Sequence, residues 1–210
     1  MHIHSNSFLP YHFMPSKLAF GKHDQTAHIA LSENLNPHLS WSGAPEGTES
    51  YALICNDPDV PSVATNVNQE GMRVDLNLPR VDFTHWAICD LPKDLSEIAE
   101  GAHSSGILPK GKAAGPTPDG GLHGLNDYTH WFAGDAEMGG DYCGYDGPCP
   151  PWNDERIHGY QFTVYALDVP TLGLSGCFSA KDLLAAMKGH ILDQATIVGL
   201  YTINPNARPV

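Results

Sequence analysis

The sequence predicts a mainly β, antiparallel fold. Three observations carry that expectation: four apolar runs with strand chemistry, frequent turn residues between them, and only one strong helix signal. SYALIC (Ser50–Cys55), THWAIC (Thr84–Cys89), YQFTVYAL (Tyr160–Leu167) and ATIVGLYTI (Ala195–Ile203) are each bounded by Asp, Asn, Pro or Gly, the punctuation expected of strands. With 21 Gly and 17 Pro in 210 residues the connections turn often, and strands joined by turns rather than by helices pair antiparallel. The helix signal is Ser179 ahead of AKDLLAAMKGH. Asp182 stands where a capping-box partner belongs, Leu183, Leu184 and Met187 form an apolar stripe, and Gly189 supplies a stop. A weaker helical turn is expected in KDLSEIAEG, ending at Gly101, which makes one or two peripheral helices in all. The stretch from Gly111 to Gly147 is dense in Gly, Asp and aromatics without periodicity and reads as a long irregular loop, a kind of segment that tends to carry function.

The length fits one domain over residues 1–210, and 41% hydrophobic against 17% charged residues is a foldable composition. No repeat or low-complexity linker interrupts it. The net charge of -13, with no Lys/Arg cluster to offset it locally, makes nucleic acid and anionic membrane surfaces poor partners. The opening MHIHSNSFLPYHF has neither a basic n-region nor an apolar core, and no run reaches transmembrane length, so a cytoplasmic protein without stable membrane insertion is expected. Five cysteines (Cys55, Cys89, Cys143, Cys149, Cys177) with no CxxC pair fit reduced thiols, with Cys55 and Cys89 in apolar runs as core residues.

Chemistry concentrates at strand mouths. In HGYQFTVYAL, alternation puts His158, Tyr160, Phe162 and Val164 on one face. The same parity in THWAIC groups His85 with Ala87 and Cys89, opposite Thr84, Trp86 and Ile88. In CNDPDVPS, Pro58 and Pro61 hold an extended exit from a strand, and Asp57 and Asp59 point the same way, one placed to orient a histidine and the other to fix the loop. The run GPCPP, with Pro148, Pro150 and Pro151, stiffens the chain just before His158. Together these residues offer donors and acceptors for a small polar ligand.

Competing motifs fare worse. GILPKGKA (Gly106–Ala113) mimics a phosphate-binding loop, but Ala113 stands where the Mg-coordinating hydroxyl belongs and no helix follows. No HExxH occurs, and Ser175 lacks the glycine spacing of a nucleophile elbow. His85, His158 and Asp57 make a two-His-one-carboxylate metal set in principle, although far apart in sequence. The acidic run Gly134–Gly147 fits no EF-hand spacing and reads as a solvated loop. Trp41, Trp86, Trp131 and Trp152 are expected as core or pocket-wall aromatics.

DPDVP at Asp57–Pro61, FTHW around His85, and GPCPP followed by IHGY and FTVYALD resemble the phosphatidylethanolamine-binding protein family, in particular its bacterial Raf-kinase-inhibitor-like branch. The resemblance runs from near Trp41 to the C-terminal ATIVGLY. It implies a β-sandwich built on a large central sheet, no cofactor, homodimers, and a non-enzymatic binding function, with a kinase or protease as a partner to be modulated. It also implies a shallow pocket for phosphate or phosphorylated head groups, lined or supported by Asp57, Asp59, His85, Pro150, Pro151, His158 and Tyr160. A phosphoester hydrolase using the His/Asp cluster and a pure protein-interaction module are the alternatives. The chain departs from the family pattern at Gly159, where the family carries Arg between the histidine and the tyrosine. The WNDERI insert before His158 brings Arg156 as a candidate replacement. A carboxylate such as Asp57 suits an anion pocket only if it accepts from one histidine nitrogen and leaves the other as a donor to the ligand.

Overall fold

The computed structural model describes residues 1–207. Its strands, in chain order, are β1 (His2–His4), β2 (Gly21–Asp24), β3 (His28–Leu31), β4 (Leu39–Ser42), β5 (Ser50–Pro61), β6 (Arg80–Pro92), β7 (Glu97–Ile98), β8 (Gly115–Pro116), β9 (Leu122–His123), β10 (His158–Leu167) and β11 (Ile191–Tyr201). The helices are the short α1 (Tyr128–Trp131) and α2 (Ala180–Met187). A six-stranded sheet runs β11-β10-β5-β6-β9-β8, a three-stranded sheet runs β1-β4-β7, and β2 and β3 form a hairpin. All strand pairs within these sheets are antiparallel.

The side-chain alternation of β5 and β10 divides the core. Leu53 and Cys55 of β5, with Tyr160, Phe162 and Val164 of β10, face Leu39, Trp41 and Ile98 of the smaller sheet. Ala52 and Ile54 point the other way, onto Leu183 and Met187 of α2. The molecule is thus a large sheet covered by a small sheet on one face and by a helix on the other. Phe162 is fully buried, and truncating such a side chain to Ala costs about 3–5 kcal/mol.

The helix starts as its sequence dictates. Ser179 Oγ accepts from the Asp182 amide and Asp182 Oδ2 accepts from the Ser179 amide, closing the capping box. Leu183 and Met187 are buried, whereas Leu184 faces solvent, so the buried stripe is narrower than expected.

Two other expectations are corrected. KDLSEIAEG contains no helical turn: its Glu97–Ile98 pairs with β4 as β7, because burying Ile98 against Leu39 outweighs the local helix preference of Glu and Ala. The Gly111–Gly147 stretch is not structureless, since it holds β8, β9 and α1. Its aromatics Tyr128 and Tyr142 pack with Phe20 into a separate small core.

Candidate functional site

The C-terminal end of β5 and the N-terminal ends of β6 and β10 lie at one edge of the large sheet, because the three strands are antiparallel neighbours. There β10 outruns β5: their pairing ends at Gln161↔Asn56, while β10 pairs with β11 from His158 onward. Beyond that point β5 and β10 lack backbone pairing, and the gap is spanned by side chains. A cavity of ≈ 440 Å³ opens at this edge, and Asp57, His85, Pro150, Pro151, His158 and Tyr160 all line it. Asp59 does not.

Register shifts aim these side chains. Cys55 pairs with Trp86 and Asn56 with Thr84, leaving His85 as the extra residue of a bulge. The bulge reverses the parity read from the sequence. His85 parts from Ala87 and Cys89, which pack toward α2, and instead meets Tyr160 with ring centroids 5.1 Å apart. A second shift between Asp57 and Val60 separates the two carboxylates expected to point together. Asp57 faces the cavity, and its Oδ1 accepts from the Asp59 amide at 2.8 Å. Asp59 turns away, accepting from Arg156 at 2.9 Å and from the Gly159 amide at 2.9 Å.

Arg156 therefore does reach Asp59, from a position two residues before His158. At Gly159 a Cβ would come only within ordinary contact of Val198 and Asp59, at 3.5 and 3.6 Å, so the position has room for a side chain. The insert has a larger role as well. Its Asp154 accepts from His158 Nε2 at 3.1 Å while Asp57 accepts from His158 Nδ1 at 2.7 Å. Arg80 holds Asp154 by a two-pronged pair at 2.5 and 3.0 Å. Burial alone would lower the His158 pKa, but the Asp57 charge and the hydrogen bonds to both carboxylates outweigh it and raise it to about 9. Burial likewise pushes Asp57 and Asp154 up, and the His158 contacts, joined by Arg80 at Asp154, more than reverse it, so both carboxyls lie below their ordinary value.

His158 is thus a buried imidazolium with both nitrogens committed. The expected arrangement, with one nitrogen on Asp57 and the other free for ligand, does not occur there, because the insert supplies a second carboxylate. For the same reason His85, His158 and Asp57 do not converge as a metal set. His85 is the histidine with a nitrogen to spare. Its Nδ1 donates to the Asp146 carbonyl at 2.7 Å, and Nε2 has no protein partner among the described residues. Burial lowers its pKa despite the Asp57 charge, so it is a neutral imidazole presenting an acceptor. Beside it, the Tyr160 hydroxyl is buried and has no hydrogen bond of ordinary length among the described residues; burial, then the charge of the nearby Asp57 carboxylate, drives its pKa well up.

The proline run is fixed rather than merely stiff. The Pro148 carbonyl accepts from the amides of Phe20 and Gly21 at 2.9 and 3.1 Å. Gly147 passes so close to the Leu18 carbonyl that a Cβ would collide with it at 2.1 Å. Asp146, expected in a solvated loop, is buried: Asn34, Asn126 and Lys112 hold its carboxylate at 2.7, 2.8 and 3.0 Å. It positions His85 through its backbone.

The rest of the lining comes mostly from residues the sequence did not single out: Phe20, Ile29 and Leu31, Val60, Ala64, Val67 and Asn68, Phe83, and Tyr128, Phe132 and Met138 from the long segment; Pro61, Cys149 and Trp131, the last expected as a core or pocket-wall aromatic, complete it. No Lys or Arg lines it among the described residues. Of the tryptophans, Trp41 and Trp86 are core, while Trp131 is half exposed at the cavity.

A phosphatidylethanolamine-binding protein family model matches residues 4–202. The chain belongs to that family. Among its relatives, a UPF0098 protein of Methanothermobacter thermautotrophicus is 37% identical over 169 residues, 80% of this chain and 83% of that one. A UPF0098 protein of Chlamydia muridarum is 33% identical over 183 residues, 87% and 93% of the two chains. Among solved structures, the phosphatidylethanolamine-binding protein homolog CT736 from Chlamydia trachomatis superposes with a TM-score of 0.63 at 27% identity, covering 95% of each chain. Escherichia coli YbcL, described as a new member of the mammalian PEBP family, superposes with a TM-score of 0.66 at 23% identity, covering 96% of this chain and 97% of its own. These place the chain in the bacterial branch, and membership of the family supports a binding function. Among the described residues no helix is long and apolar enough to cross a membrane.

Proposed function

We propose that this protein is a non-enzymatic binding protein whose cavity takes a small ligand with a phosphate-like head and an apolar body. The observation that carries this reading is the pairing of two polar atoms without a hydrogen bond of ordinary length among the described residues, Tyr160 Oη and His85 Nε2, with a cavity lined otherwise mostly by apolar side chains. An unsatisfied buried hydroxyl costs about 1–3 kcal/mol, which a ligand head recovers by bonding to it.

The charge balance sets the terms of binding. Asp57 and Asp154 are offset by His158 and Arg80, so the floor carries ions without a net charge. Among the described residues an anion finds no free cation there. It must either donate a proton to His85 Nε2, as a monohydrogen or dihydrogen phosphate can, or raise the His85 pKa until the ring is protonated. Ring protonation favours binding at low pH for every phosphate, and for a monoester so does the donor route, since the ester loses its last O–H as pH rises. Hydrolysis of phosphoesters by His85, His158 and Asp57 has less support, because His158 has no nitrogen left to shuttle a proton.

Calorimetric titration with inorganic phosphate, phosphoethanolamine and phenyl phosphate from mildly acidic to mildly alkaline pH tests the reading. Affinity is expected to fall as pH rises and to be greatest for the phenyl ester, whose ring fits the apolar wall. Binding that ignores pH, or no heat with any of the three, would overturn it.

A further inference from the structure

All five cysteines are thiols, and they differ in surroundings. Cys55 and Cys89 pack on opposite faces of the large sheet, and Cys149 lines the ligand cavity. Cys177 is exposed, in the loop ahead of α2, and Cys143 is buried at the end of the long segment. The backbone brings these last two together. Leu125 is bridged to Cys143 on one side and donates its amide to the Phe178 carbonyl at 2.7 Å on the other. Cys177 Sγ lies 3.9 Å from Asp141 Oδ2, two residues ahead of Cys143. The loop bearing Cys177 has left-handed glycines at Gly173 and Gly176, with φ of 70° and 63°, and can shift to bring its sulfur closer.

We propose that Cys143 and Cys177 form a reversible disulfide by exchange with a low-molecular-weight disulfide such as oxidised glutathione, stapling the outer wall of the cavity to the loop before α2. In the first step the exposed Cys177 thiolate attacks the glutathione disulfide, forming a mixed disulfide and expelling one glutathione thiolate. In the second, Cys143 as thiolate attacks the Cys177 sulfur, closing the protein disulfide and expelling the second glutathione thiolate. Two protein thiols lose two electrons and two protons, and one glutathione disulfide becomes two thiols.

The order follows from access. Burial, then the neighbouring Cys177, pushes the Cys143 thiol up to about 12, so Cys143 is the resolving partner and its step limits the rate. The staple would act on the site because Cys143 stands three residues before Asp146, which fixes His85, and its segment carries Trp131 and Phe132 of the cavity wall.

The test is peptide mass mapping without reduction, after incubating the folded, reduced full chain with oxidised glutathione and blocking free thiols by alkylation. A Cys143–Cys177 cross-link is expected, with thermal unfolding moved up by roughly 5 °C or more. Cys143→Ser and Cys143→Ala are expected to hold glutathione on Cys177 without a cross-link. Cys177→Ser, a change at an exposed position, should leave Cys143 unmodified. If the wild type keeps glutathione on Cys177 as long as the Cys143 variants do, leaves Cys177 unreacted, or joins it to another cysteine, the proposal is overturned.

Discussion

His158 and His85 stand on neighbouring sides of one cavity, and their surroundings are opposite. His158 is enclosed by two carboxylates, charged, and without a free nitrogen. His85 is held by a backbone carbonyl, neutral, and keeps Nε2 open. The difference teaches that the chemistry of a histidine is set by what its second nitrogen meets. At His158 that partner arrives from Asp154 in the insert, and at His85 no group among the described residues takes the place. The first histidine ties the strand ends together; the second keeps a ring nitrogen at the cavity, the one the proposed ligand would meet.

The strongest way to break this contrast is to remove the charged member. His158→Ala leaves Asp57 and Asp154 facing each other without a cation between them, and unfolding by urea is expected to show a loss of about 3–5 kcal/mol. His85→Ala removes no ion pair and should cost clearly less. Equal losses in the two variants would mean that the charged cluster has no special weight.

A pH series sharpens the same contrast. The folded-state pKa of His158, about 9, lies above its unfolded value near 6.5. Its contribution is therefore complete below about pH 6.5 and lost as pH rises through about 9, on the order of 3 kcal/mol in total. The carboxylates Asp57 and Asp154 act in the opposite sense. Their folded pKa values are depressed, so their contribution is present above the ordinary carboxylate value and fades as pH falls through the folded one. Imidazole nitrogen NMR should show His158 doubly protonated at neutral pH and His85 singly protonated on Nδ1. A neutral His158 at pH 7 would count decisively against the cluster described above.

Tyr160→Phe addresses the ligand side alone. Because its hydroxyl makes no hydrogen bond of ordinary length among the described residues, the change should leave stability within about 1 kcal/mol and weaken binding of a phosphate-bearing ligand roughly tenfold. A large stability loss would instead point to a structural role.

The smallest effect is expected at Arg156, whose partner Asp59 also accepts from the Gly159 amide. Arg156→Ala should cost about 1 kcal/mol or less, and adding Gly159→Arg should recover part of it if an arginine from either position can brace Asp59. Chemical denaturation of the single and double variants measures this.

Much of the frame was legible in the chain. Strand alternation placed Tyr160, Phe162 and Val164 on one face, the Ser179/Asp182 box located α2, and the residues shared with the family drew attention to Asp57, His85 and His158. The errors fell where pairing partners decide. Nothing in KDLSEIAEG signals that Ile98 has a place waiting against Leu39. Nor does THWAIC reveal that its histidine is the extra residue of a bulge, since the register of β6 is fixed by β5, not by β6 itself. Of the apolar wall from the long segment only Trp131 was expected, as a core or pocket-wall aromatic; Tyr128, Phe132 and Met138 were missed because they show no period long enough to read.

By itself the sequence determined the strands, the capped helix, the acidic surface and the residues from which the site is made, because these depend on local alternation, on turn chemistry and on composition. Tertiary structure alone decided which histidine carries charge and which keeps a free nitrogen. That choice rests on Asp154 and Asp146, remote or overlooked in the chain, arriving at particular ring nitrogens, and a local pattern holds no information about such arrivals.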